Sequence, residues 1–356
     1  MRFSSIFKII ILNIFISKMA HSAVCEERYP PDSEECQYVQ ELEQKAEQGD
    51  ESAQFALGSW YAEGRYVKPD YKLAIKWLEK AGKQGSDFSY FILGYHYNYG
   101  ENFPLSRQKA LEWYRKAAEL GDSSTQEILG DAYMYGDGFP QNTQLALEWY
   151  RRAAAQGLAE AQDAIGVMFM QGEGVSQDYQ QALAWYRKAA RQGLPAAQTH
   201  LGIMSAFGRG VAQSDRQAIA WYRKAAKQDF AKAQYQLGVA YSTGRGVPEN
   251  SRNALKWYLK AAEQGFTPAQ LALGEIYAHG RQGGPKDNKQ AYIWYYMASI
   301  YTEKSKDDCS ALIAERNRLK GTLTPDQLSE TYAAFDLIRR KINQSKEAKK
   351  IARKKY

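Results

Sequence analysis

Residues 161–193 read AQDAIGVMFMQGEGVSQDYQQALAWYRKAARQG, from Ala161 to Gly193. Ala161, Ile165, Gly166 and Phe169 stand at helical spacing, and Gly172 then supplies the residue type on which helices end in the left-handed conformation. This first helix is termed A. A loop follows with a second glycine, Gly174, and an apolar residue, Val175, placed to fill the gap between layers. Asp178 is a helix-capping residue, and Ala182 and Trp185 follow it at the spacing of one apolar face. That second helix, B, closes through the small pair Ala189–Ala190 and ends at the Gln192–Gly193 step.

The same phrase recurs in both directions. Glycine returns every 36 residues at Gly58, Gly94, Gly130, Gly166, Gly202, Gly238 and Gly274. Trp77, Trp113, Trp149, Trp185, Trp221 and Trp257 keep that step, with Trp294 one residue late. The B-helix cap position holds Asp70, Ser106, Asn142, Asp178, Ser214 and Asn250, all residues whose side chains accept bonds from free backbone N–H groups. Several series in one register define stacked helix-pair units, each able to bury its apolar face only against its neighbours. The 356 residues therefore form an elongated repeat array, and periodic Trp and Tyr explain most of the 13% aromatic content.

The ends differ from the body. Residues 1–23 carry Arg2 and Lys8, the apolar run Ile9–Ile16 and small residues at Ala20, Ser22 and Ala23, the pattern of an export signal that is too short to span a bilayer. Export gives an oxidising compartment, in which Cys25 and Cys36 are expected to pair and tie down a cap over residues 24–49, a loop closure worth roughly 2–3 kcal/mol. Cys309 is left as a free thiol. Of the formal charge of +7, residues 339–356 contribute +8 and the leader +3, leaving about −4 for residues 24–338. On that sum the basic character belongs to the tail and not to the repeats.

The signature LG-x2-Y-x2-G-x-GV, then D-Y-x2-A-x2-WY-x-KAA-x-QG, resembles the Sel-1-like repeat family, a relative of the tetratricopeptide solenoids. Residues 50–302 fit it as seven consecutive units, and Leu323–Leu328 looks like the closing segment of such proteins. Departures are local: Asp229 for glycine, Ser205 for tyrosine, Gly82 for alanine, and the last loop with Gln282, Gly283 and Gly284. The resemblance implies a right-handed, all-α solenoid of seven 36-residue helix-turn-helix repeats. Helical caps complete it at both ends, the second over residues 303–338, where Thr324–Gln327 reads as a capped helix start.

Under that resemblance helix A lines the concave groove. By register the residues facing it include Phe88, Phe91, Tyr95, Asn98 and Tyr99 in the second unit and Ser124, Glu127, Asp131, Met134 and Tyr135 in the third; the fifth offers Thr199, Ile203, Ala206 and Phe207. Tyr and Phe in such positions give the large, low-entropy contact area of binding hot spots. The function expected is a non-enzymatic scaffold, periplasmic or secreted, binding a peptide or protein through Phe88, Phe91, Tyr95, Asn98, Tyr99, Asp131, Met134 and Tyr135, without a cofactor or nucleic acid. Two other readings weigh less: a hydrolase acting on cell-wall or β-lactam substrates, and an anionic envelope-surface binder acting through the tail 339–356. Ser106-x-x-Lys109 has the spacing of a hydrolase pair, but Ser106 sits at the helix-cap position. His96, His200 and His279 lie on different units without ligand partners and read as incidental surface or groove residues.

Overall fold

The structure is a computed structural model that describes residues 30, 33–100, 102–280, 285–302 and 310–353. Cys25, Cys309 and the leader lie outside the described residues. The described secondary structure is all helical and belongs to the α-solenoid class. A leading helix α1 (Glu34–Glu47) precedes seven A–B pairs: α2 (Glu51–Glu63) with α3 (Tyr71–Lys83), α4 (Asp87–Tyr99) with α5 (Arg107–Leu120), and α6 (Ser123–Tyr135) with α7 (Thr143–Ala155). Then come α8 (Ala159–Gln171) with α9 (Tyr179–Arg191), α10 (Pro195–Phe207) with α11 (Asp215–Ala226), and α12 (Ala231–Thr243) with α13 (Ser251–Ala262). The last pair is α14 (Thr267–His279) with α15 (Asn288–Thr302), closed by α16 (Ser310–Lys320) and α17 (Pro325–Arg353). The described residues fall into two compact units, those up to 168 with 172–176, and 169–171 with those from 177 onward.

Local chemistry sets these boundaries. Each A helix ends on a glycine in the left-handed region, such as Gly136 at φ 70°, a conformation in which a Cβ is strained. Each B helix from α3 to α13 starts at the cap read from the sequence: the Asn142 carboxamide accepts from the Leu145 N–H at 3.0 Å, and the Ser106 hydroxyl from the Lys109 N–H at 3.4 Å. Thr324 and Gln327 exchange bonds across the first turn of α17, the reciprocal box expected there.

Packing within a pair rests on the tyrosine of each Trp-Tyr dipeptide. A Cβ built on Gly130 would lie 2.4 Å from the Tyr150 ring, so the A-helix glycine is the space into which that ring fits. Tyr114, Tyr150, Tyr222 and Tyr258 are all buried, each stabilising its pair by roughly 4 kcal/mol at ~25 cal/mol per Å². Of the repeating tryptophans, expected on the apolar face, only Trp77 and Trp294 are buried. From Trp113 to Trp257 the indole is half-buried, and a cation three residues on lies over it: Lys116 at 3.9 Å from the Trp113 centroid, Arg152 at 4.5 Å from Trp149, Lys188 at 3.9 Å from Trp185. The helical step of 100° per residue turns the tryptophan to the edge of the buried stripe and centres its neighbour, tyrosine.

Glutamines join consecutive pairs. Within the first unit Gln156 Nε2 donates to the Gly121 carbonyl at 2.8 Å and to Gln126 Oε1 at 3.0 Å, while the buried Gln126 donates to the Ala118 carbonyl at 3.0 Å. Gln84 and Gln54 repeat the arrangement, as do Gln228 with Gln198, and Gln264 with Gln234, in the second unit. Asp229 holds the left-handed position usually given to glycine, φ 59°, and its carboxylate accepts from Gln234 at 2.8 Å.

Two expectations change. His96 and His200 are buried, the first stacked on Phe103 at 5.0 Å and the second against Tyr186 at 4.8 Å, so neither is an incidental surface residue. The segment set apart as a basic tail from residue 339 is not wholly separate from the body, because α17 runs through it and buries Ile342 completely, its Cγ2 3.2 Å from a Cβ built on Gly265.

Candidate functional site

The A helices of the first unit carry an aromatic run that the repeat does not require. On α4, Phe88, Phe91, Tyr95 and Tyr99 follow one another at three- and four-residue steps, which places them on one face. Phe88 stacks on Phe91 at 5.7 Å with 10° between planes, Phe91 meets Tyr95 at 6.5 Å, and Tyr95 meets Tyr99 at 4.6 Å. Phe55 on α2 extends the run, 5.6 Å from Phe88, and Tyr114 on α5 supports it from below, 5.8 Å from Phe91. The ends are open: Phe88 is 53% exposed and Tyr99 47%, whereas Phe91 and Tyr95 are half-buried.

The third pair supplies a different chemistry. Tyr135 is 74% exposed and stands outside the ring contacts of the run. Asp131 is half-buried and accepts a 2.6 Å bond from the Tyr150 hydroxyl. Burial pushes the Asp131 carboxyl above the usual carboxylate range, with the Tyr150 bond and the Arg107 charge acting the other way. Burial, then Asp131 itself, raises Tyr150 far above an ordinary phenol. Asn98 accepts from Arg107 at 2.9 Å, and Arg107 also bonds Asp137, so Asn98 belongs to a surface polar network beside the aromatic run.

Register had grouped residues that the structure separates. Met134 is buried at 5% exposure and belongs to the interior, as do Thr199 and Ala206 of the fifth unit. Phe88, Phe91, Tyr95 and Tyr99 come together. Phe55 was missed, although it stands 36 residues before Phe91 and the repeat step alone points to it. Lys109, three residues after Ser106, lies over the Tyr97 ring at 5.5 Å, and the Ser106 hydroxyl is engaged as the cap of α5. Among the described residues no group of three or more His, Cys, Asp or Glu could hold a metal ion.

Comparison with known proteins gives a consistent picture. The Sel1 repeat family model matches residues 51–86, 88–122, 123–158, 159–194, 195–230, 231–266 and 267–299. Among solved structures the chain is similar to a Sel1 repeat protein from Oxalobacter formigenes, at 34% identity and TM-score 0.66, over 79% of each chain. It also matches c5321, a protective antigen of uropathogenic Escherichia coli with an SLR fold, at 26% identity and TM-score 0.45, over 88% of this chain and 89% of that one. Immunity protein Pa5087 from Pseudomonas aeruginosa matches at 23% identity and TM-score 0.44, over 55% of this chain and 75% of that one. No curated protein sequence matches.

Proposed function

Since this chain belongs to the Sel1 repeat family, whose members are generally protein–protein interaction scaffolds, we propose that it binds a peptide or protein partner on the A-helix face of its first unit. The observation that carries the reading is the continuous aromatic run from Phe55 through Phe88, Phe91 and Tyr95 to Tyr99, half open to solvent. At the Phe88 register the other repeats carry Ser52, Ser124, Glu160, Ala196, Lys232 and Pro268, so the framework does not ask for a ring there. Rigid aromatic anchors with one buried side and one open side present large contact area at small entropic cost. Tyr135, with Asp131 behind it, adds an exposed ring and a carboxylate to the same group of A helices.

The role is non-enzymatic, and no cofactor is invoked. The leader pattern of residues 1–23 supports action in a bacterial envelope or outside the cell, and the Cys25–Cys36 pairing belongs to that same reading. Retention of a partner from envelope extracts on immobilised protein, compared with the F88A/Y99A variant, tests the site. The expected result is loss of the partner from the variant with unchanged far-ultraviolet circular dichroism. Equal capture by both proteins would exclude this face.

A further inference from the structure

The sum of about −4 for residues 24–338 conceals a division. Residues 33–176 hold 13 Lys and Arg against 22 Asp and Glu, a net −9, while residues 177–302 hold 16 against 7, a net +9. The change of sign falls at the boundary between the two compact units. Basic character therefore does belong to the repeats, in the second unit.

The second unit gathers its cations on the B helices. Exposed positions are Arg187, Lys188 and Arg191 on α9, Arg223, Lys224 and Lys227 at α11, and Lys256 and Lys260 on α13. At 100° per residue these lie on the side of each helix away from its buried residues, such as Ala182, Tyr186 and Ala189 on α9. Lys188, Lys224 and Lys260 lie over the half-buried Trp185, Trp221 and Trp257 at 3.9, 4.4 and 5.0 Å. Among the described residues none of these eight cations pairs with a carboxylate.

The first unit handles the same register differently. Glu112 and Glu148 stand where the second unit has Ala184, Ala220 and Lys256, and Glu119 stands where it has Arg191 and Lys227. Accordingly Arg115 pairs with Glu119, Lys116 and Lys83 with Glu79, and Lys76 and Lys80 with Glu47. At these registers the second unit keeps the cations on α9, α11 and α13 and retains a single acid, Glu263. Arg339, Arg340 and Lys341 on α17 are brought to its end, where Lys341 meets Glu263 at 3.4 Å just past α13.

We infer that the B-helix face of the second unit docks on an anionic bilayer surface. Equivalent cations on successive B helices form rows about 10 Å apart, so the matching anion is extended and touches several helices at once. Long basic side chains over half-buried indoles combine a charged head with an amphipathic ring, which is the combination found at headgroup level. No described helix is long and apolar enough to cross a membrane, so the contact is peripheral. It rests on the repeats, and the basic end of α17 only extends it.

Sedimentation of the full chain with phosphatidylglycerol–phosphatidylcholine vesicles, against phosphatidylcholine alone, tests this. Salt-sensitive binding to the anionic vesicles only is expected, because screening acts within about 10 Å at 0.1 M salt. R187Q/R191Q/K227Q, which leaves the tryptophan-covering lysines in place, should weaken that binding on the order of a hundredfold with unchanged helix content. K72Q/K109Q/R151Q in the first unit should bind like wild type. Undiminished binding by the first variant would overturn the inference, as would an equal loss in the second. Complete loss on ending the chain after Gln344 would move the contact to the tail. Dextran sulfate bound in preference to vesicles would assign a soluble polyanion instead.

Discussion

Tyr90 fills the space that Gly82 leaves open: a Cβ built on Gly82 would lie 2.5 Å from Cε1 and Cζ of the Tyr90 ring. In the six other repeats the residue at the Tyr90 register is a buried glutamine, and Gln54, Gln126, Gln162 and Gln270 each reach back eight residues, as Gln126 does to Ala118. Tyr90 reaches the same place with a ring, and residue 82 has lost its methyl group to admit it. Leu120 stands where Gln84 and Gln156 donate to that glutamine elsewhere, so all three positions have changed together.

Gly82→Ala is therefore expected to destabilise the protein by up to about 2 kcal/mol. Helix propensity favours alanine by ~1 kcal/mol, and overpacking against a rigid ring costs about 1–3 kcal/mol. The triple variant G82A/Y90Q/L120Q restores the glutamine arrangement and should regain wild-type stability or better in urea denaturation. A stable G82A single variant would refute the coupling.

The glutamine ladder should be uneven in strength. Gln126 is buried and both donates to Ala118 and accepts from Gln156, so Q126A strands buried groups and should cost about 1–3 kcal/mol. Gln156 is exposed, and water can replace its amide, so Q156A should cost visibly less. The order of the two midpoints in chemical denaturation checks the assignment.

Asp131 predicts a pH dependence. Its carboxyl is raised in the folded protein by burial, so its stabilising contribution is complete below the unfolded carboxylate value and is lost as pH rises through the folded one. Asparagine keeps an acceptor for the Tyr150 hydroxyl and does not titrate. The stability of D131N relative to wild type should thus increase from acid to neutral pH, as read by thermal melting at both ends. A flat difference would mean that the Tyr150 bond and Arg107 cancel the burial.

Chain length at the carboxy terminus should show where packing stops. Ending after Gln344 leaves Ile342 in place and should not change stability. Ending after Ile338 removes that fully buried side chain, with an expected loss of about 2–5 kcal/mol. The exposed Lys341–Glu263 pair adds little to this. Hydrogen exchange of α13 and α14 in the two truncations distinguishes them.

The repeat step, the helix caps and the left-handed glycine stops were readable from residue order, because each rests on chemistry within a few residues of one backbone segment. The 36-residue register even held information left unused, namely Phe55 before Phe91 and the change of charge sign near residue 177. Which member of the Trp-Tyr dipeptides from Trp113 to Tyr258 is interior was decided by tertiary structure, since both are aromatic and adjacent and only the partner glycine selects the tyrosine. Met134, His96 and His200 were likewise assigned inside by neighbours that spacing does not name. The return of α17 to Gly265 joins residues 77 positions apart, and no local rule reaches that far. Periodicity sets which residues are equivalent, whereas burial depends on the shapes that meet them across the repeat.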